Sequence, residues 1–205
     1  MAASLDAQSR KILIYMTDDT NEEPQPLILS ADALDALASA LGAALDGCES
    51  SVATAESCTG GWVSQAITAI AGSSKWFDRG FVTYSNEAKR EMLGVRVHSL
   101  RKFGAVSEKV VQEMALGAVK KSNAEFSVAI SGIAGPGGGT EDKPVGTVWF
   151  AWANGTDVES SVMQFPGDRE QVRLGAACVA LQGLVSRLPD WLKNEKKSQP
   201  DIGES

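Results

Sequence analysis

The sequence predicts an α/β protein: one domain, a three-layer α/β/α sandwich around a mixed β-sheet. Three observations carry this. Strand-like and helix-like segments alternate through the middle of the chain. Phe126 to Ile130 is almost continuously apolar, as a strand buried on both faces is. Near the C-terminal end, Asn154-Gly155 separates two strand-like runs, a strong signal for a β-hairpin and so for antiparallel pairing.

The elements follow in order. Residues 1–30 read as an N-terminal extension, with a short strand at 12–16 and a polar, proline-punctuated stretch at 17–26. Ser30 caps a helix whose Leu34, Leu37, Leu41 and Leu45 recur on one face. Residues 51–57 suit a short strand, and Thr59-Gly-Gly61 opens a helix over 62–71. A strand at 80–84 and a short helix at 86–93 come next. Ser107 starts a further helix to about 121, ahead of the apolar strand. The hairpin strands cover 146–153 and 158–165, and a last helix runs from about 168 to 187, stopping before Pro189. Residues 31–188 form the predicted domain, and 189–205 a polar, disordered tail.

Composition narrows the function. In 205 residues the formal net charge is −7, which argues against nucleic acid or an anionic membrane as partner. Three widely spaced cysteines are not a disulfide framework and fit a reducing cytoplasm. A single histidine, His98, and no paired-cysteine motif leave little basis for a zinc site. No apolar run approaches the roughly 20 residues that span a bilayer. The N-terminus shows no signal-peptide pattern, so a cytoplasmic location is expected.

Several segments are suited to chemistry. Ala55-Glu-Ser-Cys-Thr-Gly-Gly61 lies where a strand gives way to a helix, a place of free backbone N–H groups. Cys58 there is either a nucleophile with a lowered pKa or a buried, inert thiol, and Ser57 or Thr59 is a candidate N-cap. Five of the nine residues from Ser131 to Gly139 are glycine, which suits a main-chain cradle for phosphate or an oxyanion. It is neither a Walker loop nor a dinucleotide fingerprint. Tyr84 and Lys89 lie five apart across a strand-to-helix turn, and a desolvated lysine can replace histidine as a base. A solvated lysine on a helix surface is the plainer alternative, and His98 reads as a surface residue. Arg169, near a helix start, opposes the helix dipole unless an anion lies close.

Taken in order, these segments resemble the CinA C-terminal domain family, which includes the nicotinamide-nucleotide amidases. The stretches that carry the resemblance are Ala55 to Gly61, Ala71-Gly-Ser-Ser74, Trp76-Phe77, Arg79 to Lys89, Gly104-Ala-Val-Ser107, Ser131 to Pro136, Lys143 to Val148 and Gly167-Asp-Arg169. Together they span roughly residues 31–188. The resemblance implies hydrolysis of the carboxamide of nicotinamide mononucleotide to nicotinate mononucleotide and ammonia, without a cofactor or metal. It implies Ser74 as nucleophile with Tyr84 and Lys89, and Ser73 and Ser57 are alternative hydroxyls. It further implies a substrate site built from Cys58, Thr59, Gly60, Gly61, Asn86, Ser131, Gly132, Gly135 and Arg169. A homodimer or larger homo-oligomer is expected, as is the stand-alone form, since residues 1–30 leave no room for the pyrophosphatase-like domain of longer relatives. Two other readings compete: an amidase dependent on Cys58, and a non-catalytic nucleotide-binding module in competence or DNA-damage responses.

Overall fold

Five strands form the central sheet, and what covers its two faces decides where a site can open. The computed structural model describes residues 2–6, 11–15 and 26–198. The sheet contains β4 (Val52–Glu56), β5 (Phe77–Val82), β6 (Phe126–Gly132), β7 (Thr147–Asn154) and β8 (Asp157–Gln164). Its order is β5-β4-β6-β7-β8. β4 is parallel to both β5 and β6, while β6, β7 and β8 are antiparallel in turn. It is the mixed sheet that the alternation and the hairpin predict. A separate antiparallel sheet comprises β1 (Ala2–Asp6), β2 (Lys11–Tyr15) and β3 (Pro26–Leu29). The sequence foresaw only β2; most of the polar stretch at 17–26 lies outside the described residues.

The two faces differ in side-chain size. Val52, Phe126, Val128, Ile130, Val148, Phe150 and Trp152 point to one face, covered by α1 (Ala31–Leu45), α2 (Trp62–Thr68) and α6 (Arg169–Ser198). The opposite face carries Ala53, Ala55, Ala129, Ala151 and Ala153. That alanine surface lets α5 (Glu108–Lys120) lie close to the sheet, with α3 (Asn86–Leu93) and α4 (Val97–Phe103) packed beside it. At Gly117 of α5 a Cβ would sit 2.1 Å from the carbonyl oxygen of Leu93, so this glycine sets how near α3 and its lysine approach.

Three sequence expectations need correction. β5 begins at Phe77, three residues before the expected strand at 80–84. It is an edge strand with one parallel neighbour, and only Phe81 among its residues is buried, so its sequence shows little apolar pattern. The helix α4, which carries an exposed His98, was not expected. The last helix continues through Pro189 to Ser198, so residues 189–198 are not part of a disordered tail; 199–205 lie outside the described residues. Pro189 lacks the N–H that would bond the Val185 carbonyl, a defect of about 3 kcal/mol within a helix. Leu188 is fully buried and Trp191 stacks on Phe126 at 5.3 Å, and this packing offsets the cost. Among the described residues no helix is long and apolar enough to cross a membrane.

Replacing a helical glycine by alanine ordinarily adds about 1 kcal/mol of stability. Gly117→Ala is expected to do the opposite and cost about 2 kcal/mol through the clash with Leu93, as measured by urea denaturation.

Candidate active site

The connection after β4 runs to α2 on one face, and the connection after β5 runs to α3 and α5 on the other. Where neighbouring parallel strands send their chains to opposite faces, a crevice opens beyond their carboxyl ends. Ser57 follows β4 there, and Thr83 and Tyr84 follow β5. The sheet pattern continues one step past both strands: Ser57 N–H donates to Ile130 O (3.0 Å) and Thr83 N–H to Glu56 O (2.8 Å).

Glu56 organises the turn that follows. It is fully buried, with both oxygens committed to the start of α2. Oε2 accepts from the N–H groups of Gly61 (3.0 Å) and Val63 (3.1 Å), while Oε1 accepts from Ser64 N–H (2.8 Å) and Ser64 Oγ (2.7 Å). A carboxylate at that helix end satisfies donors that would otherwise be unpaired, and it complements the dipole. Gly60 and Gly61 have φ of 64° and 97°, the left-handed conformations that fold the chain back over Glu56. The N-cap position itself falls to Gly61, not to Ser57 or Thr59, which leaves the Ser57 hydroxyl free for another partner.

That partner is Lys89. Its side chain is only 1% exposed, and Nζ donates to Ser57 Oγ (2.9 Å) and to Thr83 O (2.8 Å). Ser85 caps α3, accepting from Ala88 N–H at 3.0 Å, and this turn fixes the lysine's direction. Burial pushes the Lys89 amine down to about 8, although nearby Cys58 acts in the opposite sense. Cys58 supplies no counter-charge near neutral pH, because burial pushes its own thiol up to about 11. A hydroxyl bonded to an amine that loses its proton easily is an arrangement that can serve as a nucleophile with its base. The same burial argues against Cys58 as a thiolate nucleophile.

The structure places the expected residues unequally. Ser74 is exposed in the 3-10 turn Ser73–Lys75 at the amino end of β5, whereas Lys89 lies beyond its carboxyl end. Six strand residues, roughly 20 Å, separate the two ends, so Ser74 does not meet Lys89 within the chain. Ser73 lies in the same turn. The serine that does meet Lys89 is Ser57. Tyr84, 62% exposed, accepts from Arg169 Nη2 (2.8 Å), and Arg169 Nη1 donates to Gly135 O (2.8 Å). Tyr84, Arg169 and Gly135 thus form a continuous rim. Ser131, opposite Ser57 one step beyond the ladder, donates its hydroxyl to Ala105 O (2.8 Å) and anchors the loop before α5; Gly132 ends β6. Asn86 is exposed in the first turn of α3. Thr59 is fully buried, its hydroxyl without a partner among the described residues.

Two further residues belong to the site. Glu56 sits within a segment already singled out, but its role depends on where α2 starts. Arg173 lies one helical turn after Arg169 on α6, and Nε and Nη2 donate to the carbonyls of Cys58 (3.1 Å) and Thr59 (2.9 Å). Its four-residue spacing from Arg169 was the available signal. Among the described residues no cluster of three or more His, Cys, Asp or Glu is arranged to hold a metal.

Comparison with known proteins bears on the family of the chain. The family model described as CinA C-terminal domain matches residues 34–188. The protein named nicotinamide-nucleotide amidohydrolase PncC of Escherichia coli (strain K12) is 58% identical over 149 residues, 72% of this chain and 90% of that protein. The protein of the same name from Enterobacter agglomerans is 54% identical over 168 residues, 81% of this chain and all of its own length. The crystal structure of the competence/damage inducible protein CihA from Agrobacterium tumefaciens superimposes with a TM-score of 0.74 at 45% identity, covering 77% of this chain and 96% of that one. The match across most of its length, with relatives more than half identical, places the chain in one family: it belongs to the CinA C-terminal domain family.

Proposed function

We propose that this chain is a nicotinamide-nucleotide amidohydrolase that converts nicotinamide mononucleotide and water to nicotinate mononucleotide and ammonia, with Ser57 as nucleophile and Lys89 as its base. The observation that carries this reading is the buried Lys89 amine, 2.9 Å from the Ser57 hydroxyl, in the crevice beyond β4 and β5. The relatives named PncC supply the reaction class.

In the neutral form of Lys89 the hydrogen bond reverses, and Ser57 donates to the Nζ lone pair while Nζ–H donates to Thr83 O. Ser57 Oγ adds to the carboxamide carbon as its proton passes to Lys89. The tetrahedral adduct collapses when the Lys89 ammonium returns that proton to the departing nitrogen, releasing ammonia and leaving an ester on Ser57. Water then attacks this ester with Lys89 taking its proton, and the Ser57 oxygen leaves reprotonated. The substrate's cationic pyridinium withdraws electrons from the amide carbon and disfavours a neighbouring ammonium. Arg169 uses one hydrogen on each Nη within the chain, so Nε–H and the second Nη hydrogens stay available for the phosphate. Tyr84 then orients the guanidinium and does not relay the serine proton.

Ser57→Ala is expected to lower kcat for ammonia release by about a thousandfold or more. Ser74→Ala is expected to stay within about twofold of the parent, as an exposed residue far from the crevice should. Normal turnover by Ser57→Ala, or loss confined to Ser74→Ala, rejects the assignment.

The base must be unprotonated, so log kcat/KM is expected to rise with pH at unit slope and level off above about 8. A flat profile between pH 6 and 9 contradicts a lysine base. Lys89→Met should abolish turnover yet leave the protein at least as stable at pH 7, with a gain of about 1 kcal/mol or roughly 2–4 °C in Tm. It removes a buried amine that has no carboxylate partner and keeps the methylene packing; differential scanning calorimetry reads the sign.

A further inference from the structure

Arg173 is a cation that forms no ion pair with an acidic side chain among the described residues. Its guanidinium carbon lies 5.2 Å from the centre of the Trp62 ring, and its Nε and Nη2 go to the carbonyls of Cys58 and Thr59. A Cβ on Gly60 would come within 3.5 Å of Nη2. The guanidinium is therefore fitted to the backbone that directly follows Ser57.

The Cys58–Thr59 peptide is trans, since the only cis bond among the described residues is Gly135–Pro136. In a trans peptide the C=O and the N–H of the next residue point in opposite directions. Cys58 O points to Arg173, which comes from α6 on the large-residue face of the sheet. The Thr59 N–H therefore points away from α6, toward the side of the crevice where α3 carries Lys89. Gly60 N–H bonds Ser57 O, and those of Gly61 and Val63 bond Glu56, whereas Thr59 N–H has no acceptor among the described residues. A guanidinium on the carbonyl of a peptide also strengthens its N–H as a donor.

We infer that Arg173 is a positioning residue that holds the Cys58–Thr59 peptide so that the Thr59 N–H stabilises the oxyanion formed when Ser57 attacks the carboxamide. This rests on the assignment of Ser57 as nucleophile. Arg173 touches neither the substrate nor the reacting atoms; it acts through a peptide that does. Oxyanion donors work in the transition state and not in the ground state, so loss of the arginine should appear in kcat and not in KM.

The test is steady-state ammonia release from nicotinamide mononucleotide by the full chain, comparing the parent with Arg173→Ala, Arg173→Lys and Ser57→Ala. Arg173→Ala is expected to lose about a hundredfold in kcat with KM within about threefold, the loss typical of a disturbed oxyanion donor. Added guanidinium chloride, at tens of millimolar and below denaturing levels, should restore about tenfold of that loss, because the Trp62 ring and both carbonyls remain in place. Arg173→Lys should fall between parent and alanine variant, since an ammonium lacks the fork that reaches two carbonyls at once. The inference is overturned by a rise in KM at unchanged kcat, which marks a substrate contact. It is also overturned by a kcat loss that guanidinium does not restore, which marks a purely structural role, or by parental kinetics for Arg173→Ala. If Ser57→Ala turns over normally, the nucleophile assignment itself fails; if Ser57→Ala is inactive and Arg173→Ala is not, only the inference about Arg173 fails.

Discussion

Burying an amine without a carboxylate beside it is the constraint on which the site depends. Lys89 is almost wholly removed from water, and its partners are a hydroxyl and a backbone carbonyl. Neither carries a charge that would hold the proton on nitrogen. An ion-paired lysine in the same place would be more comfortable and useless as a base near neutral pH. The fold sustains this arrangement by fixing both ends of the lysine: the Ser85 cap sets where α3 begins, and the Gly117 contact sets how closely α3 meets α5.

The carboxylate that a buried lysine would ordinarily attract is present nearby, but it is occupied elsewhere. Glu56 immediately precedes Ser57 and turns to the other face of the sheet, where four donors from the start of α2 surround it. Alternation along a strand separates two adjacent side chains to opposite faces. Glu56 therefore builds the turn while Ser57 meets the amine. The uneven sheet faces serve the same end. Alanines on one side let α5 settle close with α3 beside it, and large residues on the other carry the longer helices and bring Arg169 and Arg173 to the crevice.

The sequence made the layered fold legible through the apolar run at Phe126–Ile130, the Asn-Gly hairpin and the leucine stripe of α1, each a local pattern with a fixed geometric meaning. It also singled out Lys89, Tyr84, the Cys-Thr-Gly-Gly turn and Arg169 as candidates for chemistry, with a solvated lysine left as the plainer alternative for Lys89. The resemblance implied Ser74 beside Tyr84 and Lys89, whereas the serine within hydrogen-bond reach of Lys89 is Ser57 and Ser74 lies at the amino end of β5; a short distance along the chain says nothing about which end of a strand a residue occupies. The end of α6 was misread for a related reason: Pro189 is a local stop signal, and the stacking of Trp191 on Phe126 that overrides it is not local.

What the sequence alone determined is therefore the set of parts: the layers, the reactive residue types, and the turns rich in glycine. Which serine faces the amine, where the proton of Lys89 can go, and what Arg173 holds were decided by tertiary structure. The reason is the parallel pairing of β4 and β5, which puts residues 57 and 83 beyond the carboxyl ends of the two strands, with residue 89 on the helix that follows, and leaves residue 74 at the amino end.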